Sequence, residues 1–342
     1  MQIMLKVKEI QNKIEWENFL SKSTIEFYPF FQSWNWGEVQ RKLDFPVLRL
    51  GLYQGIKLIG VCQVVDVNAK RGHYLHLRHG PAFEKFKKEH FNFFIDEIKK
   101  IAREKSMYFI RMSPLIQDSD TSESLLSKSH FLNAPIHRMD GEVCWVLDIT
   151  IPEEELLKNM RKSHRYLIKK ASQNELEILK TKNIDDMQKF LPLYKNLAVK
   201  KHFVPHKGVI QEFEIFAKDN EAVLFLAIWE KKVIAGALID FVGDMAIYRH
   251  SALDENFRHV PASYLIQWEA ILEAKKRGKK LYNFWGIAPE EGKKHPWYGL
   301  TLFKMGFGGK KIEFLHAKDL ILNAWYLKTF LIETASKIRK GY

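Results

Sequence analysis

Residues 51–61, GLYQGIKLIGV, and residues 227–237, AIWEKKVIAGA, follow one design at an offset of 176 residues. Each reads as a β-hairpin: an apolar strand, a tight turn, and a second strand that carries a glycine, Gly60 in one copy and Gly236 in the other. Tyr53 of the first hairpin is matched by Trp229 of the second. A third strand follows each hairpin, YLHLRHGPAF at 74–83 and AIYRHSALDE at 246–255, and both carry Arg-His near the strand end. Next comes an amphipathic helix, predicted over 84–104 and again over 262–277, with apolar residues at helical spacing. A further strand closes each series, in MYFIRMSP (107–114) and KLYNFWGIAP (280–289). The same four elements in the same order require two copies of one α/β unit.

Size and composition agree with a two-domain chain. With 342 residues, 46% of them apolar, the sequence can bury two cores of ordinary size. Cys62 and Cys144 form no CxxC pair and show no metal-ligand spacing with histidine, which leaves no disulfide framework and no metal site to expect. The first residues, MQIMLKVKEIQNKIEWENF, scatter charge, and no apolar run approaches the roughly 20 residues that span a bilayer. We expect a cytoplasmic protein without a transmembrane segment. The formal charge of +13 exceeds what solubility needs and points to an anionic partner: RNA, a phosphorylated metabolite or a membrane face.

A hairpin followed by strand, helix and strand resembles the central unit of the acetyltransferase-like (GNAT) fold, in which two parallel strands splay apart to hold an acyl donor. The expected fold class is therefore α/β, with two tandem GNAT-like domains built on mixed sheets. An acyl-CoA donor needs a glycine-rich loop at the helix entrance, so that backbone N–H groups can approach its pyrophosphate. Here those loops read HGPAFEKF and DENFRHVPAS, and the second contains no glycine. Acyl transfer with a different donor is the expectation.

Six segments carry a closer resemblance: FQSWNWGEVQ (31–40), LRHGPAF (77–83), MRKSHRYLIKKA (160–171), YLIQWEAI (264–271), NFWGI (283–287) and HPWYGLTLFKMGFGG (295–309). Together, and in this order along the whole chain, they resemble the FemABX family of peptidoglycan interpeptide-bridge aminoacyltransferases. The resemblance implies a first GNAT-like domain over 1–155, a second over 156–317, and a C-terminal helix over 318–342 that packs back on the first. It implies transfer of an amino acid from aminoacyl-tRNA to an amino group of a peptidoglycan precursor's stem peptide. The precursor would be lipid-linked (lipid II) or nucleotide-linked (UDP-MurNAc-pentapeptide), and no cofactor is implied. Residues 194–225 are too few for the long helical arm of some members, so the compact, armless type is expected.

The resemblance also implies site residues. Lys304, with Phe303 beside it, corresponds to the lysine proposed in similar enzymes to stabilise negative charge on the ester carbonyl oxygen. Gly306, Gly308 and Gly309 would let the backbone pass close to a ligand. The alternative is a surface lysine on a strand followed by a plain turn. Trp34, Trp36 and Gln40 fall in the region that helps form the precursor pocket, and Arg78 is a candidate phosphate contact or a structural strand-end arginine. Some relatives have a lysine near the place of Gln40 and an acid at that of Phe83, so their nucleotide-precursor contacts do not carry over. Lys200 and Phe203 belong to a stretch, LAVKKHF, where the family has a functional arginine. Tyr248 and Trp285 sit on the two strands expected to splay, either in the core or facing a ligand.

Two further segments have open readings. Arg161, Arg165 and Lys169 recur every four residues along a predicted helix, with Lys162 and Lys170 nearby; this stripe is either a solvated face or a contact for tRNA or pyrophosphate. The last helix, LILNAWYLKTFLIETASKIRK, has a broad apolar face that either packs on the first domain or makes peripheral contact with the inner membrane face. Two other functions remain beside the aminoacyltransferase: an acyl-CoA-dependent N-acyltransferase and a non-catalytic RNA- or precursor-binding relative.

Overall fold

The computed structural model describes residues 4–22, 27–119, 126, 129–173, 175–201, 204–289 and 295–340. In chain order the first elements are β1 (Leu5–Glu9), α1 (Lys13–Lys22), α2 (Trp34–Lys42), β2 (Val47–Gln54), β3 (Lys57–Ala69), β4 (Gly72–Arg78), β5 (Ala82–Phe83), α3 (Lys88–Glu104), β6 (Phe109–Ser113) and β7 (Leu132–Asn133). They are followed by β8 (Val143–Asp148), α4 (Glu153–Asn159), α5 (Lys162–Ser172), β9 (Glu177–Thr181), α6 (Met187–Lys200), α7 (Val209–Lys218), β10 (Ala222–Trp229), β11 (Lys232–Val242) and β12 (Met245–Leu253). The last are α8 (Ala262–Lys276), β13 (Leu281–Gly286), α9 (Tyr298–Met305), β14 (Lys310–Glu313), β15 (Lys318–Ile321) and α10 (Tyr326–Lys340). The chain divides into two compact units, Met1–Val143 with Ile312–Tyr342, and Cys144–Lys311.

The first unit is built on a mixed sheet in the order β1-β2-β3-β4-β6-β15-β7, with β5 paired to β3. Its hairpin β2–β3 turns at Gln54–Gly55, and β4 and β6 run parallel from Tyr74↔Phe109 to Arg78↔Ser113. The crossover between them is α3, whose Phe91, Phe94, Ile95, Ile98 and Ala102 are all buried. These positions repeat at three and four residues, so one stripe of the helix faces the sheet. Gly60 is needed for space: a Cβ there would press on the Phe83 ring.

The second unit repeats the plan in the order β14-β8-β13-β12-β11-β10-β9. Hairpin β10–β11 is followed by β12, the crossover helix α8 and the parallel strand β13. Gly236 gives room to the Phe190 ring, as Gly60 does to Phe83. The core joins sheet residues such as Phe225, Ile239 and Phe284 to Leu265, Ile266 and Ile271 of α8. Between Thr181 and Ala222 the described residues form a 3-10 turn, Ile184–Asp186, and two short α-helices, α6 of 14 residues and α7 of 10.

The expected helix over 318–342 begins later. Lys318–Ile321 is instead the strand β15, antiparallel to β6, and the helix starts at Tyr326. Arg111 of β6 explains the strand, because its guanidinium engages both oxygens of Asp319 at 2.7 and 2.6 Å.

Candidate functional site

In the second unit β12 and β13 are paired only at Met245↔Leu281, Ala246↔Tyr282 and Ile247↔Asn283. Beyond this they part, and Tyr248 on one side and Trp285-Gly286 on the other frame the opening. A bulge helps to form it: Leu238 pairs with His250 and Ile239 with Tyr248, leaving Arg249 as the extra residue. Trp285 has φ 64°, and its N–H is accepted by the Asn283 side chain at 2.8 Å. A tryptophan in this region is a strained conformation of the kind that collects at functional sites.

Lys304 enters this opening from the last turn of α9, so the surface-strand alternative is corrected: the residue is helical and 4% exposed. Its Nζ donates to the Gly286 carbonyl at 2.5 Å and lies 5.8 Å from the centre of the Tyr248 ring. Burial pushes the ammonium down to about 7, because a charge removed from water is disfavoured. Tyr248 is buried, with its hydroxyl donating to Ser251 Oγ at 2.5 Å. Phe303 faces elsewhere. Its ring joins His164, Tyr264 and Phe307, and its carbonyl accepts from His164 Nε2 at 2.9 Å, which makes it a packing residue behind the lysine.

The glycines after Lys304 serve the protein's own packing, in place of the expected approach to a ligand. A Cβ on Gly306 would overlap the His164 imidazole, and Gly309, at φ 100°, has the Val146 carbonyl where a Cβ would stand. Gly308, at φ 85°, passes over the end of α4 at Asn159. The motif thereby fixes α9, and with it Lys304, to α4, α5 and β8.

A charged network that sequence reasoning missed lies beside the opening. Arg249 donates to both oxygens of Glu212 at 2.9 and 3.1 Å, stands 3.8 Å from Asp240, and has its guanidinium 4.7 Å from the Trp285 ring centre. Burial acts to raise the Glu212 carboxyl, but Arg249 and His250 outweigh it and hold it well below the usual range. Asp240 goes the other way, raised by burial and by the neighbouring Glu212 charge. Among the described residues His206, Glu212 and His250 bring one ligand atom each within 4.8 Å of one another. Arg249 already supplies the positive charge that a divalent ion would bring to Glu212. The signal for this network was the Arg-His pair repeated near the strand ends, which marks Arg249 as the counterpart of Arg78.

In the first unit Arg78 is also committed to an acid. Its Nε donates to Asp140 Oδ1 at 3.0 Å and Nη2 donates to the same oxygen, while the guanidinium stacks 3.4 Å from the Phe31 ring centre and 5.3 Å from that of Trp36. Burial acts to raise the Asp140 carboxyl, yet the Arg78 guanidinium holds it well below the usual range. Burial pushes His76 down to about 3, so it is neutral. Trp36 is 1% exposed and packs on Phe30 and Phe31, and Gln40 is half-buried on the same helix, α2.

Lys200 ends α6 and lines a groove of ≈ 360 Å³ with Asn196, Leu253, Asp254 and Asn256, none of which frames the opening. Phe203 lies outside the described residues. The expected basic stripe is incomplete. Arg165 is taken up by the carbonyls of Leu157, Lys158 and Met160, at 3.2, 2.9 and 2.6 Å, and caps the C-terminal end of α4. Arg161 donates to the Leu302 carbonyl at 3.3 Å but remains exposed, as do Lys162, Lys169 and Lys170.

The sequence model of the FemAB family matches residues 12–134 and 210–316. The lipid II:glycine glycyltransferase of Staphylococcus haemolyticus is 30% identical over 90 residues, 26% of this chain and 22% of that protein's length. Among solved structures, FemX superposes with a TM-score of 0.81 at 16% identity, over 93% of this chain and 98% of that one. A tandem GNAT protein from the clavulanic acid biosynthesis pathway gives 0.57 at 7% identity, over 93% and 97%. The fold is accordingly α/β, with two tandem GNAT-like units.

Proposed function

Because the chain belongs to the FemAB family, we propose that it is an aminoacyltransferase of peptidoglycan bridge synthesis. It takes an amino acid from aminoacyl-tRNA and places it on an amino group of the precursor's stem peptide. The acceptor is a lipid-linked or nucleotide-linked precursor, and the reaction takes place on the cytoplasmic side. The neutral acceptor amine attacks the ester carbonyl carbon, forming the C–N bond as negative charge grows on the carbonyl oxygen. The C–O bond to the ribose then breaks, and the proton lost by the amine leaves with the ribose oxygen.

One observation carries this reading: the buried Lys304 ammonium, held on the Gly286 carbonyl where β12 and β13 part. A cation fixed in a water-poor site acts strongly on a developing oxyanion and needs no reorganisation as the charge appears. With its proton affinity lowered to about 7, Lys304 is charged only in part at neutral pH, and the approaching oxyanion favours the charged form. Trp285, Tyr248 and Arg249 would line the donor side, and Trp36 and Arg78 the precursor pocket of the first unit. The loop entering α8 supports tRNA over acyl-CoA as donor: residues 255–257 form a 3-10 turn capped by the Asp254 side chain, and no glycine opens it to a pyrophosphate.

The test is transfer of a radiolabelled amino acid from a mixed pool of charged tRNAs to lipid- or nucleotide-linked precursor. Label is expected in the precursor only when both substrates are present, and none should move from acyl-CoA. Transfer from acetyl-CoA with none from charged tRNA would overturn the reading.

A further inference from the structure

Helix α10 is inside out. The face it turns toward its own unit carries polar groups: Thr329, Glu333 and Tyr326, whose ring also packs on Phe109, are buried, at 0%, 3% and 7% exposure. Tyr326 Oη donates to Asp319 at 2.9 Å, Thr329 Oγ1 donates to the Arg71 carbonyl at 2.5 Å, and Glu333 receives Arg111 at 2.9 and 2.7 Å. The apolar residues point outward. Leu327, Leu331 and Ile338 are 61%, 59% and 74% exposed, with Phe330 and Ile332 at 43% each and Trp325 at 65% just before the first turn. Positions 327, 331 and 338 share one stripe, since residues four and seven apart on a helix lie above one another. A helix facing only water shows the reverse pattern.

The charges around this stripe select its partner. Lys328, Lys337 and Arg339 are exposed, whereas the helix's carboxylate, Glu333, is buried against Arg111. An exposed surface of apolar side chains and cations matches a bilayer rich in anionic lipid: the side chains enter the acyl boundary and the cations meet lipid phosphates. A tryptophan at the start of such a helix suits the headgroup layer. No helix among the described residues is long and apolar enough to cross a membrane, so α10 would lie in the interface plane. A second copy on the same face would set Lys328 and Arg339 against cations of their own kind.

We propose that α10 is a membrane-docking helix that holds the protein on an anionic bilayer surface through Leu327, Leu331 and Ile338, with Trp325 and the flanking cations at the headgroups. From the functional reading the proposal takes only its purpose, which is to bring the enzyme to a lipid-linked acceptor.

The experiment is flotation of the full chain with phosphatidylglycerol–phosphatidylcholine vesicles and with phosphatidylcholine vesicles alone, without tRNA or acceptor. The protein is expected to float with the anionic vesicles and to release as salt is raised. Leu331→Glu and Ile338→Glu should each lower partitioning about tenfold or more, and Lys328→Gln or Arg339→Gln about fivefold. Thermal melts of these variants should match the wild type, because the changed side chains are outward. Failure of the wild type to float, variants that float equally well, early melting of the glutamate variants, or a dimer in light scattering that Leu331→Glu splits would each overturn the proposal. Absence of transfer activity would leave the flotation result standing, and absence of flotation would leave transfer untouched.

Discussion

Gly306 and His164 occupy one space: the imidazole lies where a Cβ on residue 306 would be, and its Nε2 donates to the Phe303 carbonyl at 2.9 Å. The relationship fastens the turn after Lys304 to α5. Gly306→Ala is therefore expected to destabilise the chain by about 1–3 kcal/mol, the usual cost of overpacking. Adding His164→Ala should recover part of that loss, and a double-mutant cycle in urea measures the coupling. Strictly additive effects would show that the two residues do not share this space.

The Arg111–Asp319–Glu333 cluster predicts a large stability effect. Burial acts against the charged Arg111, but Asp319 and Glu333 raise its proton affinity above the ordinary arginine value. Arg111→Met leaves the buried Asp319 without its cation and Glu333 with only the half-exposed Arg71 at 3.4 Å, and removal of one partner from such a site costs about 3–5 kcal/mol. Urea unfolding of the full chain checks this, and a loss below about 1 kcal/mol would contradict it.

The basic segment divides into two roles. Arg165→Ala should lower stability by about 1–2 kcal/mol through loss of the α4 cap, with RNA binding unchanged in its salt dependence. Replacing Arg161, Lys162, Lys169 and Lys170 together should leave stability near wild type. The slope of log K against log salt should fall by about 0.7 for each phosphate that no longer meets a cation. Salt titrations with tRNA decide between this and a purely solvated face.

Lys304 predicts a pH dependence of stability. Its folded-state value of about 7 lies below the 10.5 of an exposed lysine. Between these values the unfolded chain binds more protons, so the contribution of Lys304 to stability rises with pH across the window and is smallest below pH 7. Lys304→Met should therefore be more stable than wild type at pH 6, by roughly 3–5 kcal/mol at most, with the difference shrinking toward pH 10. Denaturation curves at both pH values test the sign.

How much of this was legible depends on the range of the interactions. The two hairpins and crossover helices could be read because a short break between two apolar strands and three-to-four spacing are local signals. Lys304 stood out through its motif, but its burial could not be read, since the Gly286 carbonyl that receives it belongs to another element. Arg165 looked like one more phosphate contact because its partners are backbone carbonyls, which every residue possesses. The orientation of α10 was hidden for a related reason: Glu333 turns inward to meet Arg111, 222 residues away in sequence. Arg249 carries the same local signal as Arg78, an Arg-His pair near the strand end, but its partner Glu212 lies 37 residues away in sequence.

The most direct test of the account is single-turnover transfer by Lys304→Met at saturating precursor and aminoacyl-tRNA, with binding of each substrate measured separately. Methionine is similar in length but cannot carry the charge. The account predicts near-normal binding and a rate lower by about 10² to 10³, the usual effect of removing one well-placed electrostatic stabiliser. Lys304→Arg should recover little, because a planar guanidinium does not place its charge where a compact ammonium does. Transfer at nearly the wild-type rate, or a loss traced wholly to weaker binding of one substrate, would contradict it.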